Sequence, residues 1–202
     1  FFFKQKTAYE ISTRDWSSDV CSSDLVAGDA ELGREFEELV DPLRWPDRGL
    51  PEADVREMRR LKARMESERL PRGADPSLHT KLGRGGLSDV EWVAQYLQMN
   101  AAHGSEGLRT TSTLDALREA RDAGLLDAGD EATLAEAWLL ATQVRNAIVL
   151  ARGSAADSIP TAIRELAWIA TILGYASGGE ILETYRRVTR RARAVMERVF
   201  YG

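Results

Sequence analysis

From Val26 to Gly202 the apolar residues recur at intervals of three and four, and this period limits what the chain can fold into. "DAELGREFEELV" puts Leu32, Phe36, Leu39 and Val40 at helical spacing, with Pro42 and Pro46 predicted to close the helix. "EADVREMRRLKARMESERL" predicts a long charged helix with Val55, Met58, Leu61 and Met65 on one stripe. Residues 71–86, rich in Gly and Pro, predict a loop, and the next helix runs to about His103. "STLDALREARDAG" predicts a short helix with Leu114 and Leu117 inward and Gly124 as its left-handed stop. "EATLAEAWLLATQVRNAIVLA" reads as the most apolar helix and so the central one. "PTAIRELAWIATILG" is predicted to start with Pro160 in its first turn and to stop at Gly174. "GGEILETYRRVTRRARAVMERVF" buries Ile181, Tyr185, Val188, Ala192, Val195 and Val199. The two-residue alternation of a half-buried sheet is absent, so the expected fold is an all-α helical bundle, with Trp92, Trp138 and Trp168 in apolar helix contexts.

Residues 1–25 do not share this period. "FFFKQKTAYEISTRDWSSDVCSSDL" holds the only cysteine, Cys21, and a stuttered "SSDVCSSDL". Lys4, Lys6, Glu10, Arg14 and Asp15 interrupt any apolar core that a secretory signal would need. The string resembles a translated sequencing adapter, so residues 1–25 are read as a non-native or disordered tail and set aside. With it goes any inference from Cys21, although a lone thiol fits a reducing compartment. The whole chain, 44% hydrophobic with a net charge of −5, supports one sizeable core. A general nucleic-acid binder needs a surplus of Lys and Arg, so no nucleic-acid partner is expected. No apolar run reaches the roughly 18–20 residues of a membrane span, so a soluble, cytoplasmic protein with no membrane partner is expected.

The stretch "KLGRGGLSDVEWVAQYLQ", residues 81–98, carries the strongest chemical signal. Lys81, Arg84 and the amides of Gly85 and Gly86 precede a helix N-terminus, where free N–H groups and the helix dipole favour an anion. "GRGG" is nevertheless neither a Walker loop nor a dinucleotide fingerprint. Ser88 and Glu91 have the S-x-x-E spacing of a capping box, and Asp89 in the first turn complements the dipole. Capping therefore outweighs catalysis for each acid. Asp89 and Glu91, two positions apart, diverge on a helix and are not expected to share a metal ion. Asp89 instead shares a face with Trp92, Tyr96 and Met99. The arginines of "RRVTRRARAVMER" read as a solvated face and C-terminal dipole partners. His79 and His103 are isolated, and no Ser-His-Asp, Cys-His or CxxC arrangement is present.

Four stretches carry a resemblance: "VAGDAELGREFEELVDPLRWP", "VREMRRLKARMESERLPRGADPSLHTKLGRGGLSDVEWVAQYLQ", "LRTTSTLDALREARDAGLL" and "YRRVTRRARAVMERVFYG". In this order and spacing they resemble the glutamine synthetase adenylyltransferases, in wording closest to the actinobacterial branch. "K-x-G-x-G-G-L-x-D-[VI]-E-[WF]" is a specific signature, shared with related uridylyltransferases that modify nitrogen-signalling regulators. The resemblance implies an enzyme that transfers AMP from ATP, with Mg2+, to a tyrosine of glutamine synthetase and in its other half removes it. Each half of such an enzyme pairs a nucleotidyltransferase domain with a helical one. A Gly-Ser followed by Asp-x-Asp, as the nucleotidyltransferase domain carries, does not occur here.

The chain therefore resembles the end of the C-terminal, adenylylating half. Residues 26–70 are read as helices linking from the missing nucleotidyltransferase domain, and residues 71–202 as the C-terminal helical domain. No catalytic residue, no metal ligand and no bound cofactor is expected in the chain alone, and its implied partners are glutamine synthetase and the upstream domain. Lys81, Arg84, Gly85 and Gly86 are implied to face the nucleotide domain, while Ser88, Asp89 and Glu91 tie the helix to the loop. The chain departs from many relatives at Arg145 and Asn146, where an acidic residue and His are common. Two alternatives stand beside this reading: a non-catalytic helical binding module, and a fragment of a related uridylyltransferase. A domain cut from its neighbour is also expected to expose an apolar patch and to self-associate weakly.

Overall fold

The structure, a computed structural model, describes residues 2–3 and 25–202. The reading of a non-native tail, Cys21 included, lies outside the described residues for positions 1 and 4–24. Among the described residues seven α-helices follow one another: α1 (Ala30–Arg44), α2 (Glu52–Glu68), α3 (Leu87–Ala101), α4 (Thr113–Asp122), α5 (Ala128–Arg152), α6 (Ile163–Leu173) and α7 (Gly178–Met196). A π-helical turn, Glu197–Tyr201, extends the last of them. From Ala30 onward the described regular structure is helical, as the period requires. The strands among the described residues form one short antiparallel ladder, β1 (Phe2–Phe3) with β2 (Leu25–Ala27), pairing Phe2 with Ala27 and Phe3 with Leu25. Segments of two and three residues are too short to register as alternation.

The residues fall into two compact units, with boundaries inside α2 and α3. One comprises the described part of residues 1–55 with Glu91–Asp127. Its α1 is capped by Asp29, whose Oδ1 accepts the N–H groups of Glu31 and Leu32 at 2.9 and 3.3 Å. Pro42 does not close α1 but lies inside its last turn. There a missing N–H removes a single rung, and the Trp45 N–H still reaches the Asp41 carbonyl at 2.7 Å. Helix α3 contributes the buried Trp92, Val93, Ala94 and Leu97, and α4 the buried Ala116, Leu117 and Ala120. Gln98 joins the chain between these helices to α3, its Nε2 donating to the carbonyls of Leu108 and Thr110, both at 2.7 Å. Gly124 follows α4 with φ +71°, the left-handed stop expected of it.

The other unit comprises Arg56–Val90 and Ala128–Gly202. Helix α5 is its centre and packs on both α6 and α7. Leu134, Ala137, Ala141, Val144 and Ile148 of α5 recur at three and four and are all buried. Leu166, Ile169 and Ala170 of α6 are buried likewise, as are Ile181, Tyr185, Val188, Ala192 and Val195 of α7. Val199 is half-buried. Pro160 is not in the first turn of α6, which starts at Ile163 with Ala162 as its cap. Pro160 instead lies buried beside Ile159, whose N–H donates to the Leu78 carbonyl.

The tryptophans divide. Trp92 is buried, but Trp168 is 43% exposed and stacks under the Arg164 guanidinium at 4.7 Å. Helix α6 is apolar on more than one face, so its period could not tell which face meets α5. Ile163, Trp168 and Ile172 consequently lie exposed on this unit, together with Leu139 and Leu150 of α5. Trp92→Ala is expected to cost about 3–5 kcal/mol, the usual result of emptying a buried aromatic site, and Trp168→Ala less than about 1 kcal/mol. Urea denaturation followed by circular dichroism separates the two, and equal losses would contradict this placement.

Candidate functional site

The signature at residues 81–92 folds into a loop and the start of α3, and its glycines are packing residues. Gly85 has φ +71°, and a Cβ there would overlap the Thr189 carbonyl oxygen of α7. A Cβ at Gly86 would lie 2.6 Å from the Thr80 carbonyl oxygen. At Gly85 the loop thus lies directly on the backbone of α7, an approach only glycine permits, while Gly86 lets the loop fold tightly on itself. Its amide donors are used within the loop and its helix. The Gly85 N–H donates to Asp89 Oδ2 at 2.7 Å, and the Gly86 N–H donates to the Gly83 carbonyl at 2.9 Å. With these two amides occupied, contact with an anion would fall to side chains. Lys81 is half-buried and its carbonyl accepts the Ser88 N–H at 3.0 Å, whereas Arg84 is exposed.

Helix α3 begins at Leu87, two residues earlier than a Ser88 cap requires. Ser88 is therefore a buried first-turn residue rather than the N-cap, and Glu91 lies half-buried one turn inside the helix. Asp89 reaches back to the loop, a carboxylate at the helix start where the dipole favours it. It is 1% exposed.

Such a carboxylate must be matched, and the match comes from two helices distant in sequence. Lys62 Nζ of α2 lies 2.5 Å from Asp89 Oδ1 and 3.3 Å from Glu66 Oε1. Arg193 of α7 lies 3.1 Å from Asp89 Oδ2 and 2.6 Å from Glu66 Oε1. Two cations and two carboxylates thus form a neutral quartet, with Glu197 adding a contact of 2.8 Å to Arg193 at the solvent side. Burial alone would lower the Arg193 pKa, but hydrogen bonds to Glu66 and Glu197 and the Asp89 charge outweigh it, so the guanidinium is held more firmly charged. Burial, and then the Asp89 charge, raises the Tyr185 phenol. Burial and the Glu66 charge push Tyr201 up to about 12. Both phenols stay protonated at neutral pH.

Sequence reasoning missed three of these four charges. Arg193 was assigned to a solvated face, but its side chain is only 15% exposed, because α7 turns it toward α2 and α3. For Lys62 a signal existed: it sits four residues after Met58 on the buried stripe of α2, where a lysine needs a partner. Nothing in the linear order pairs it with Asp89.

Among the described residues no group of three or more His, Cys, Asp or Glu could hold a metal ion. The quartet does not fit Mg2+, which needs free oxygen ligands, because Lys62 and Arg193 already occupy the oxygens of Asp89 and Glu66. No helix among the described residues is long and apolar enough to cross a membrane.

His79 fastens the start of the loop. Its Nδ1 accepts the Leu82 N–H at 3.0 Å, and it forms a β-bridge with Ser158. Burial lowers its pKa, opposed by Asp157 and assisted by Arg145 and Lys81. Nearby, the Arg145 guanidinium pairs with Asp157 at 2.9 Å. A histidine whose folded pKa is depressed binds its proton more readily when unfolded. Stability is then complete above the unfolded value of about 6.5 and declines as pH falls through it. Urea midpoints between pH 8 and pH 5 should show this decline, and His79→Gln should flatten it.

A sequence model described as GlnD PII-uridylyltransferase matches residues 53–200, which hold the signature, the quartet and all of α7. The chain belongs to this family. Within it the chain is similar to proteins named bifunctional glutamine synthetase adenylyltransferase/adenylyl-removing enzyme. The protein of Streptomyces coelicolor is 58% identical over 96% of the chain, and that of Streptomyces avermitilis 57% identical over 97%. The protein of Nocardia farcinica is 54% identical over 96%. The chain spans about a fifth of the length of these curated relatives. The actinobacterial wording of the sequence thus agrees with the organisms of its relatives.

Proposed function

We propose that this chain is the helical segment of a glutamine synthetase adenylyltransferase, an enzyme that transfers AMP from ATP to glutamine synthetase and removes it again. The identity of 58% across 96% of the chain carries this reading. The geometry supports a scaffold role within it. Asp89, the buried acid of the signature, is neutralised by Lys62 and Arg193 and is not free to deprotonate a tyrosine. ATP and Mg2+ would act on an upstream nucleotidyltransferase domain, with residues 26–70 linking to it and residues 71–202 completing the helical part. Glutamine synthetase and that domain would be the partners, in the cytoplasm. Lys81, Arg84 and the Gly85–Gly86 loop would face the nucleotide domain, held in register by Asp89.

The test is a chimera in which residues 26–202 replace the matching fifth of the Streptomyces coelicolor relative. Labelled AMP should pass from ATP to glutamine synthetase at close to the parental rate. A folded chimera without that activity would overturn the reading. The family match over residues 53–200 favours a second reading, a uridylyltransferase acting on a PII protein. UTP and PII offered to the same chimera distinguish the two, and label on PII alone would support the second.

A further inference from the structure

A groove of about 670 Å³ lies beside the quartet, between the loop and α7. Its lining includes Asp75, Arg84, Arg186, Arg190 and Arg193. Four guanidiniums thus border one hollow in a chain whose net charge is −5. Their charges are not equally matched. Arg193 is compensated by Glu66 and Asp89, and Arg186 lies 3.8 Å from Asp75. Arg84 and Arg190 are exposed, and among the described residues neither has a hydrogen-bond or ion-pair partner. Two uncompensated positive charges therefore share one groove.

Like charges brought together without an anion weaken a fold, so the arrangement suits a ligand that supplies at least two negative charges. On α7 the positions 186, 190 and 193 follow one another along a stripe spanning about 10 Å of helix axis, with Arg84 on the loop beside it. Guanidinium forks match phosphate oxygens bidentately, and several at once select a polyphosphate over a simple carboxylate. From the groove we infer a binding site for a small polyphosphate anion, held chiefly by Arg84 and Arg190 and flanked by Arg186. Of the residues first associated with an anion, Arg84 alone lines it, and the Gly85 and Gly86 amides take no part. The site is independent of the adenylyltransferase reading, since it stands on the charges of this unit alone.

The test is titration calorimetry of the 202-residue chain with sodium tripolyphosphate at low ionic strength. Saturable binding of one anion per chain is expected, weakening as salt is added. The double variant R84Q/R190Q should bind about tenfold or more weakly, the loss of two charge-assisted contacts. Arg187→Gln removes a neighbouring exposed arginine that does not line the groove, and should bind like the parent. Succinate, a dianion without phosphate, should bind at least about tenfold more weakly than tripolyphosphate. Absence of saturable binding by the parent chain would overturn the site. So would an equal loss in R187Q, which would reduce it to diffuse charge, or equal affinity for succinate.

Discussion

Lys62→Ala should destabilise the fold by about 3–5 kcal/mol, the range seen when one partner of a buried ion pair is removed. The lysine side chain is 2% exposed and so is that of Asp89, so truncation strands a carboxylate that water cannot reach. Arg193 remains, but it must then balance both Asp89 and Glu66. Urea denaturation at pH 7 measures the effect. The double variant K62M/D89L separates charge from packing. It leaves Arg193 paired with Glu66 and removes the stranded charge, so part of the loss should return despite the missing acceptor for the Gly85 N–H. A double variant as unstable as the sum of the singles would show that the pair acts only through shape.

Gly85→Ala should cost more than about 2 kcal/mol, because two penalties coincide there. A left-handed backbone costs an alanine about 1–2 kcal/mol. The new methyl must also displace the Thr189 carbonyl, which belongs to the regular backbone of α7 and cannot swing aside as a side chain would. Gly124→Ala provides the control. It has the same φ of +71° with nothing near its missing Cβ, so it should show the backbone penalty alone. Equal losses at the two positions would mean that the loop does not press on α7 as described.

These two expectations mark where the linear sequence ceases to be informative. The α7 stripe from Ile181 to Val195 was legible because a 3.6-residue period, once long enough, admits one buried face. Gly124 and Gly174 were legible as stops because left-handed backbone favours glycine whatever surrounds it. Pro42 and Pro160 misled. A proline marks a boundary only statistically, and the last turn of α1 tolerates the loss of one donor. The orientation of α6, which leaves Trp168 and Ile172 outside, was not written in its period because more than one of its faces is apolar.

The site divides in the same way. The helical character of the chain from Ala30 onward, the place of the loop at residues 71–86, and a signature specific enough to indicate the family can all be read from the order of residues. Those are local or pattern properties, set by residues within a turn or two of one another. What the signature does follows from how the helices pack. Their packing brought Lys62, 27 positions before Asp89, and Arg193, 104 positions after it, onto one carboxylate. It also aligned Arg84 with Arg186 and Arg190 along a single groove. Charge acts through space and is indifferent to chain order, so a cluster drawn from three helices exists only once those helices have packed.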